Sequence, residues 1–208
     1  MTTISISLSD AIGHINWQDF FAAWNIAPAL AQIADIRGCG HCQAQWLAAQ
    51  PQNVRSEASQ AMQLLKEARV ALDRLQRDLS TDFLRIDSTD IPEGTLLHAA
   101  LNDEIETIAA KFDTELPEKA KLYRTLATCL PKAAIEAAYS QLVPTAVTVE
   151  PVEQNGENCT YMPITAKQQE YTADRHIIQQ AEQLFTPRPL SELAIVSNRK
   201  LIYISHRK

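Results

Sequence analysis

Glycine is scarce in this chain: five residues (Gly13, Gly38, Gly40, Gly94 and Gly156) against ten prolines in 208 positions. A dinucleotide-binding fold needs G-x-G-x-x-G and a phosphate-loop NTPase needs G-x-x-x-x-G-K-[ST]. Gly38 and Gly40 supply half of the first pattern and nothing completes it, so both classes are excluded. Positive charge is also in short supply. The net charge of −6 is no nucleic-acid footprint, and the Arg/Lys cluster over 199–208 is a short solvated end. No run reaches the roughly 18 apolar residues of a membrane span. The first ten residues lack the basic and apolar regions of a signal peptide. A cytoplasmic protein with neither nucleic-acid nor membrane partners is expected. Its four cysteines (Cys39, Cys42, Cys129, Cys159) then read as thiols, metal ligands or redox groups rather than structural disulfides.

What is abundant is helix former. Hydrophobic residues make up 46% and charged residues 21%, an ordinary globular balance. Ala, Leu, Gln and Glu dominate residues 17–142. Trp17, Phe20, Phe21 and Trp24 fall at i, i+3, i+4 and i+7, one helical face, with Asn16 as a cap and Pro28 at the boundary with the next element. Further helices are expected over 29–36 and 41–49. The strongest runs over 54–79, where Ala58, Ala61, Met62, Leu65, Ala68, Leu72, Leu75 and Leu79 form an apolar stripe. A short strand at 82–87 and a turn at Asp90-Ile91-Pro92-Glu93-Gly94 precede a helix expected over 96–112. Pro117 and Pro131 fit first-turn positions of two helices, 117–129 and 131–141. After Pro144 the character changes: strands at 145–149 and 159–164 around an Asn155-Gly156 hairpin, a helix at 167–185, and strands at 193–196 and 201–205 joined by a turn at Asn198-Arg199. The expected class is α+β, in one domain over 1–208. A helical N-terminal half (1–142) packs on a small, mostly antiparallel sheet in the C-terminal half (143–208).

Cys39-Gly40-His41-Cys42 is the constellation with the clearest chemistry. At a helix N-terminus, free amides and the dipole lower the pKa of the first thiol and make it a nucleophile. A thioredoxin-like reading, with Cys39 as nucleophile and Cys42 as resolving thiol, needs a buried strand before the motif and a facing X-Pro-Thr. Residues 30–37 read better as helix, whereas Val143-Pro144-Thr145 fits the second requirement. A zinc reading needs two more ligands, and Cys129, Cys159, His14, His98, His176 and His206 show no recognisable spacing. The third reading is two partly buried thiols at a tight inter-helix turn that Gly38 and Gly40 permit.

Ile15-Asn16-Trp17-Gln18-Asp19-Phe20-Phe21-Ala22-Ala23-Trp24 resembles the opening motif, I-[DN]-W-x-x-F-F-x-x-W, of the activation domain of cobalamin-dependent methionine synthase. Glu57-Ala58 and the run Ala61-Met62-Gln63-Leu64-Leu65-Lys66-Glu67-Ala68 are similar to that family's next helix. Gly38-Cys39, Cys42, Trp46 and Leu47 resemble a G-C-x-x-C-x-x-x-W-L insertion between the two. Tyr203-Ile204-Ser205-His206 is similar to a late Y-[FI]-S-H strand. The resemblance covers about residues 12–80 and that final tetrapeptide. It implies an accessory protein of cobalamin-dependent methyl transfer or reactivation that binds S-adenosylmethionine. The implied partners are the cobalamin-binding module of methionine synthase and flavodoxin, with cobalamin carried by the partner. The family's adenosylmethionine loop is R-P-x-x-G-Y-P. Arg188-Pro189-Leu190-Ser191 keeps its Arg-Pro without the Gly-Tyr, and the candidate ligand contacts that the resemblance implies are Arg188 there and Tyr203 in the late strand.

The remaining polar residues read as structural. His98 is expected on a helix near a buried face, and His176 on a solvated charged face. His206 has no acid partner close in sequence. Asp103, Glu104 and Glu106 form an acidic helix surface, and Trp46 packs under the cysteine turn.

Overall fold

The computed structural model of the chain describes residues 1–36, 40–92, 94–143, 184–185, 190–197 and 199–204. Outside them lie the strands expected at 145–149 and 159–164, the Asn155-Gly156 hairpin, the Pro144-Thr145 step and nearly all of the 167–185 helix. Cys39, Cys159, His176, Arg188 and His206 also lie outside the described residues.

The architecture is α+β. Five strands, β1 (Thr2–Ile4), β2 (Leu84–Ile91), β3 (Gly94–Leu101), β4 (Ser191–Ser197) and β5 (Lys200–Tyr203), form one sheet in sequential order, every neighbouring pair antiparallel. Three of them come from the first half of the chain, so the sheet is assembled from the whole sequence. No expectation covered β1, which pairs Thr2 with Ser88 and Ile4 with Ile86. Three residues are too few for a readable alternation, and only the edge of β2 orders them.

The helices begin with α1 (Leu8–Ile12), opened by a Ser7/Asp10 capping box. The Ser7 hydroxyl and amide hold the Asp10 carboxyl below its ordinary pKa. Then comes α2 (Trp17–Ala22), where the Asn16 side chain accepts from the Gln18 and Asp19 amides, the cap expected from sequence. This helix stops before Trp24, and Asn25 turns the chain at φ 56°. Phe20 and Phe21 are fully buried, and Trp17 meets Phe20 edge-on with centroids 5.3 Å apart. The α-helix expected over 29–36 is instead a 3-10 helix, Pro28–Asp35. Its i, i+3 eclipsing puts Leu30 and Ile33 on one buried side. Next are α3 (Gly40–Ala49) and the long α4 (Arg55–Asp78), which buries Ala58, Ala61, Leu64, Leu65, Ala68, Ala71, Leu72 and Leu75 much as its periodicity indicates.

Two further expectations fail. Residues 96–112 are not one helix. Gly94–Leu101 is the strand β3, and the helix α5 (Glu104–Ala110) starts only after Asn102, whose side chain accepts from the Glu104 amide at 3.0 Å. The run Leu-Leu-His-Ala-Ala-Leu favours helix by propensity. However, β3 is the middle strand and both its faces are covered: Leu97 and Ala99 face the helices, Leu96 the other side, and all three are fully buried. A strand buried on both faces reads as a continuous apolar run, indistinguishable by periodicity from a buried helix. His98 is therefore a strand residue. Residues 117–141 are also not two helices but one, α6 (Pro117–Leu142), with Pro131 buried in its interior. The proline removes one hydrogen bond to the preceding turn. Burial of Ala127, Leu130, Ala133, Ala134, Ile135, Ala137 and Ala138 around it keeps the helix continuous.

α6 packs on the sheet and touches α1, α2, α4 and α5. The main core joins these helices to Ile86, Leu97, Ala99, Leu101 and Ala194 on the sheet's inner face. Leu96, Leu193 and Ile195 on the opposite face form a second cluster with Phe185 and Ile204. Among the described residues, no helix is long and apolar enough to cross a membrane.

The β2–β3 hairpin pairs Ile91 with Gly94 across a two-residue loop. Gly94 adopts φ 150°, and a Cβ there would run into the Val196 carbonyl oxygen of β4. Gly94→Ala is expected to destabilise the fold by about 1–3 kcal/mol. Truncating the buried ring in Phe21→Ala is expected to cost about 3–5 kcal/mol. Urea unfolding followed by circular dichroism measures both.

Candidate functional site

Among the described residues, those singled out by sequence do not gather in one place. Cys42 is exposed in the first turn of α3, with His41 exposed beside it. The segment leading to the motif is the 3-10 helix Pro28–Asp35, where a thioredoxin-like arrangement requires a buried strand. Trp46, one turn after Cys42, packs against the main core with Leu47. Cys39 and Arg188 lie outside the described residues. Among those residues, no group of three or more His, Cys, Asp or Glu side chains could hold a metal ion.

Both glutamates of α5, Glu104 and Glu106, are held by neighbouring side chains. Glu104 accepts from the Ser80 hydroxyl and amide and from Asn102, and these bonds hold its carboxyl below the ordinary range. Glu106 and Asp113 clamp Arg124 from two sides, each at 2.6 Å. On the outer sheet face, Asp87 and His98 are cross-strand neighbours, and both are buried. Asp87 accepts from Thr3 Oγ1 and Arg85 Nε, both at 3.0 Å, and His98 stacks on Phe185 with centroids 4.7 Å apart. His98 thus lies on a strand, where a helix was expected.

Tyr203 does enter a polar cluster. It closes β5, and its phenol donates to Glu136 Oε1 at 3.0 Å. Lys132 Nζ stands 5.2 Å from the centre of its ring and pairs with Asp19 at 3.0 Å. Asp19 belongs to the aromatic motif: it lies between Trp17 and Phe20 on α2 and faces α6 because those rings are turned into the core. Cys129, Lys132, Ala133 and Glu136 occupy i, i+3, i+4 and i+7 of α6, one helical face. Between α2 and α6 lies a cavity of about 120 Å³ lined by Asn16, Asp19, Ala23, Thr128, Cys129, Lys132 and Ala133. That volume seats one polar group with a few waters. Pockets enclosing a whole drug-sized ligand run to about 300–1,000 Å³.

Electrostatics set what this cluster can do. Burial, then the Glu136 carboxylate beside it, pushes the Tyr203 phenol pKa far above its ordinary value. The phenol stays a proton donor. Burial likewise pushes the Cys129 thiol up to about 11, against a smaller opposing effect of its hydrogen bond with Thr128. A protonated thiol is no nucleophile. The Asp19–Lys132 pair is partly solvated and worth at most about 1 kcal/mol, so it orients groups more than it stabilises the fold. The cluster thus sets two protonated groups, the Tyr203 phenol and the Cys129 thiol, beside a partly solvated ion pair.

No protein-family model, curated protein or solved structure matches the chain. The likeness to the methionine synthase activation domain therefore rests on its motifs. Sequence reasoning missed Asp19, Cys129, Lys132 and Glu136 as a group. Three of them share a face only if α6 runs through Pro131, so dividing the helix there hid their common spacing.

Cys129 should resist iodoacetamide at neutral pH while exposed Cys42 is modified, and its labelling should rise as pH approaches about 11. Peptide mapping by mass spectrometry separates the two sites. The unfolded thiol ionises near its ordinary value and the folded one only at about 11. The contribution of this group is complete below the ordinary value and is lost as pH rises through about 11.

Proposed function

We propose that this chain is an accessory protein of cobalamin-dependent methyl transfer, similar to the activation domain of methionine synthase. It docks on a cobalamin-binding module and binds S-adenosylmethionine. The observation that carries this reading is the meeting of the two ends of the motif resemblance. Asp19, within Ile15–Trp24, and Tyr203, which opens the Tyr-Ile-Ser-His tetrapeptide, both contact Lys132. An antiparallel sheet with flanking helices is also the architecture this reading calls for.

The small cavity suits one end of the ligand. The aminocarboxylate end of S-adenosylmethionine carries one positive and one negative group. In this reading it inserts between Asp19 and Lys132, exchanging their mutual pair for two charge-assisted hydrogen bonds. Arg188 is the second contact that the resemblance supplies. The larger adenosyl part lies beyond the cavity. Flavodoxin, as the reductant of the partner's cobalamin, is part of the same proposal.

Isothermal titration with S-adenosylmethionine, and surface plasmon resonance against a methionine synthase cobalamin-binding module, test the proposal. Saturable binding in both is expected. Lys132→Met and Arg188→Ala are each expected to weaken the adenosylmethionine affinity about tenfold, the loss of one charge-assisted hydrogen bond. Absence of binding to both ligand and module overturns the proposal.

A further inference from the structure

A groove of about 460 Å³ lies between α4 and the turn into α6, away from the Asp19–Lys132 cluster. Leu116 and Val70, two large apolar side chains with half their surface in solvent (51% and 46%), sit on opposite lips of it. On the α4 lip, Lys66, Val70 and Arg74 follow at i, i+4 and i+8, so an apolar residue is flanked by two cations. On the α6 lip, Leu116 is flanked by Glu115 and Glu118. Among the described residues, none of these four charged ones makes an ion pair or a side-chain hydrogen bond. The other two charges of the groove are occupied: Glu67 accepts from Gln63 at 2.8 Å, and Lys119 lies 3.9 Å over the Phe112 ring.

We infer that this groove is the self-association surface of the protein, and that its occupant is the α4 lip of a second copy. The charge pattern argues for this occupant. Each molecule carries an apolar-plus-basic lip and an apolar-plus-acidic lip side by side, so the surface contains its own complement. A two-fold axis sets Val70 of each copy against Leu116 of the other, and Lys66 and Arg74 against Glu115 and Glu118, twice over. Such reciprocity is what an isologous dimer interface requires. The exposed apolar pair supplies the driving force, and the charges fix the register. This inference is independent of the function proposed above, since no residue is shared between the two sites.

Sedimentation equilibrium of the full chain at low ionic strength is the test. The expected result is a reversible dimer of twice 23.2 kDa, weakening as salt screens the lip charges. Reversing one lip, Lys66→Glu with Arg74→Glu, sets like charges together on both sides of the axis. The dissociation constant should rise at least about tenfold. Reversing the other lip as well, Glu115→Lys with Glu118→Lys, should restore the dimer. Circular dichroism checks that each variant is folded. A wild-type protein that stays monomeric at all concentrations overturns the inference, whichever other protein the groove then serves. So does a dimer indifferent to reversal of one lip.

Discussion

Everything in this fold depends on burying α6. The helix lies on the inner sheet face and is enclosed by α1, α2, α4 and α5. Six of its thirteen buried residues are alanine, with Leu122, Tyr123, Leu126, Leu130 and Ile135 as the larger members. Alanine lets backbones approach closely and costs little rotamer entropy, so one helix can face strands on one side and helices on the others. The same enclosure explains why an interior proline is tolerated. A lost hydrogen bond at Pro131 is small beside the apolar contact that would be forfeited if the helix broke there.

The polar cluster is a consequence of that packing. The face of α6 that carries Cys129, Lys132 and Glu136 points at the junction of α2 and β5, where the core gives way to solvent. Phe20 and Phe21 anchor α2 in the core, and their burial leaves Asn16 and Asp19 on the opposite edge, one as cap and the other as partner of Lys132. The aromatic motif is structural in its rings. Any ligand chemistry it takes part in belongs to the polar residues between them. Protonated Tyr203 and Cys129 beside a solvated ion pair make a place that can exchange hydrogen bonds with a small charged group and that holds no ready nucleophile.

Much of this was legible along the chain, and the failures have physical causes. The Asn16 cap, the stripe of α4 and the β4–β5 turn, where Arg199 adopts φ 58°, depend on neighbours within a few residues. Local pattern finds such features because local geometry creates them. β3 was misread because a strand between two others has no polar face to alternate with. α6 was divided because a proline's local preference is to begin a helix, and only long-range burial overrides it. β1 was invisible because its order comes wholly from β2, more than eighty residues away.

By itself the sequence determined the α+β class, most helix positions, the exclusion of glycine-rich nucleotide loops, and the presence of an aromatic motif with a cysteine pair after it. Those follow from composition and short-range spacing, which a linear chain carries explicitly. Tertiary structure alone decided that Asp19, Lys132, Glu136 and Tyr203 are neighbours, and that Asp87 and His98 face each other across two strands. It also decided that the basic lip of α4 stands opposite the acidic lip of α6. Contacts between residues so far apart in the chain form only when burial of the shared core holds their elements together, and no spacing in the sequence records that.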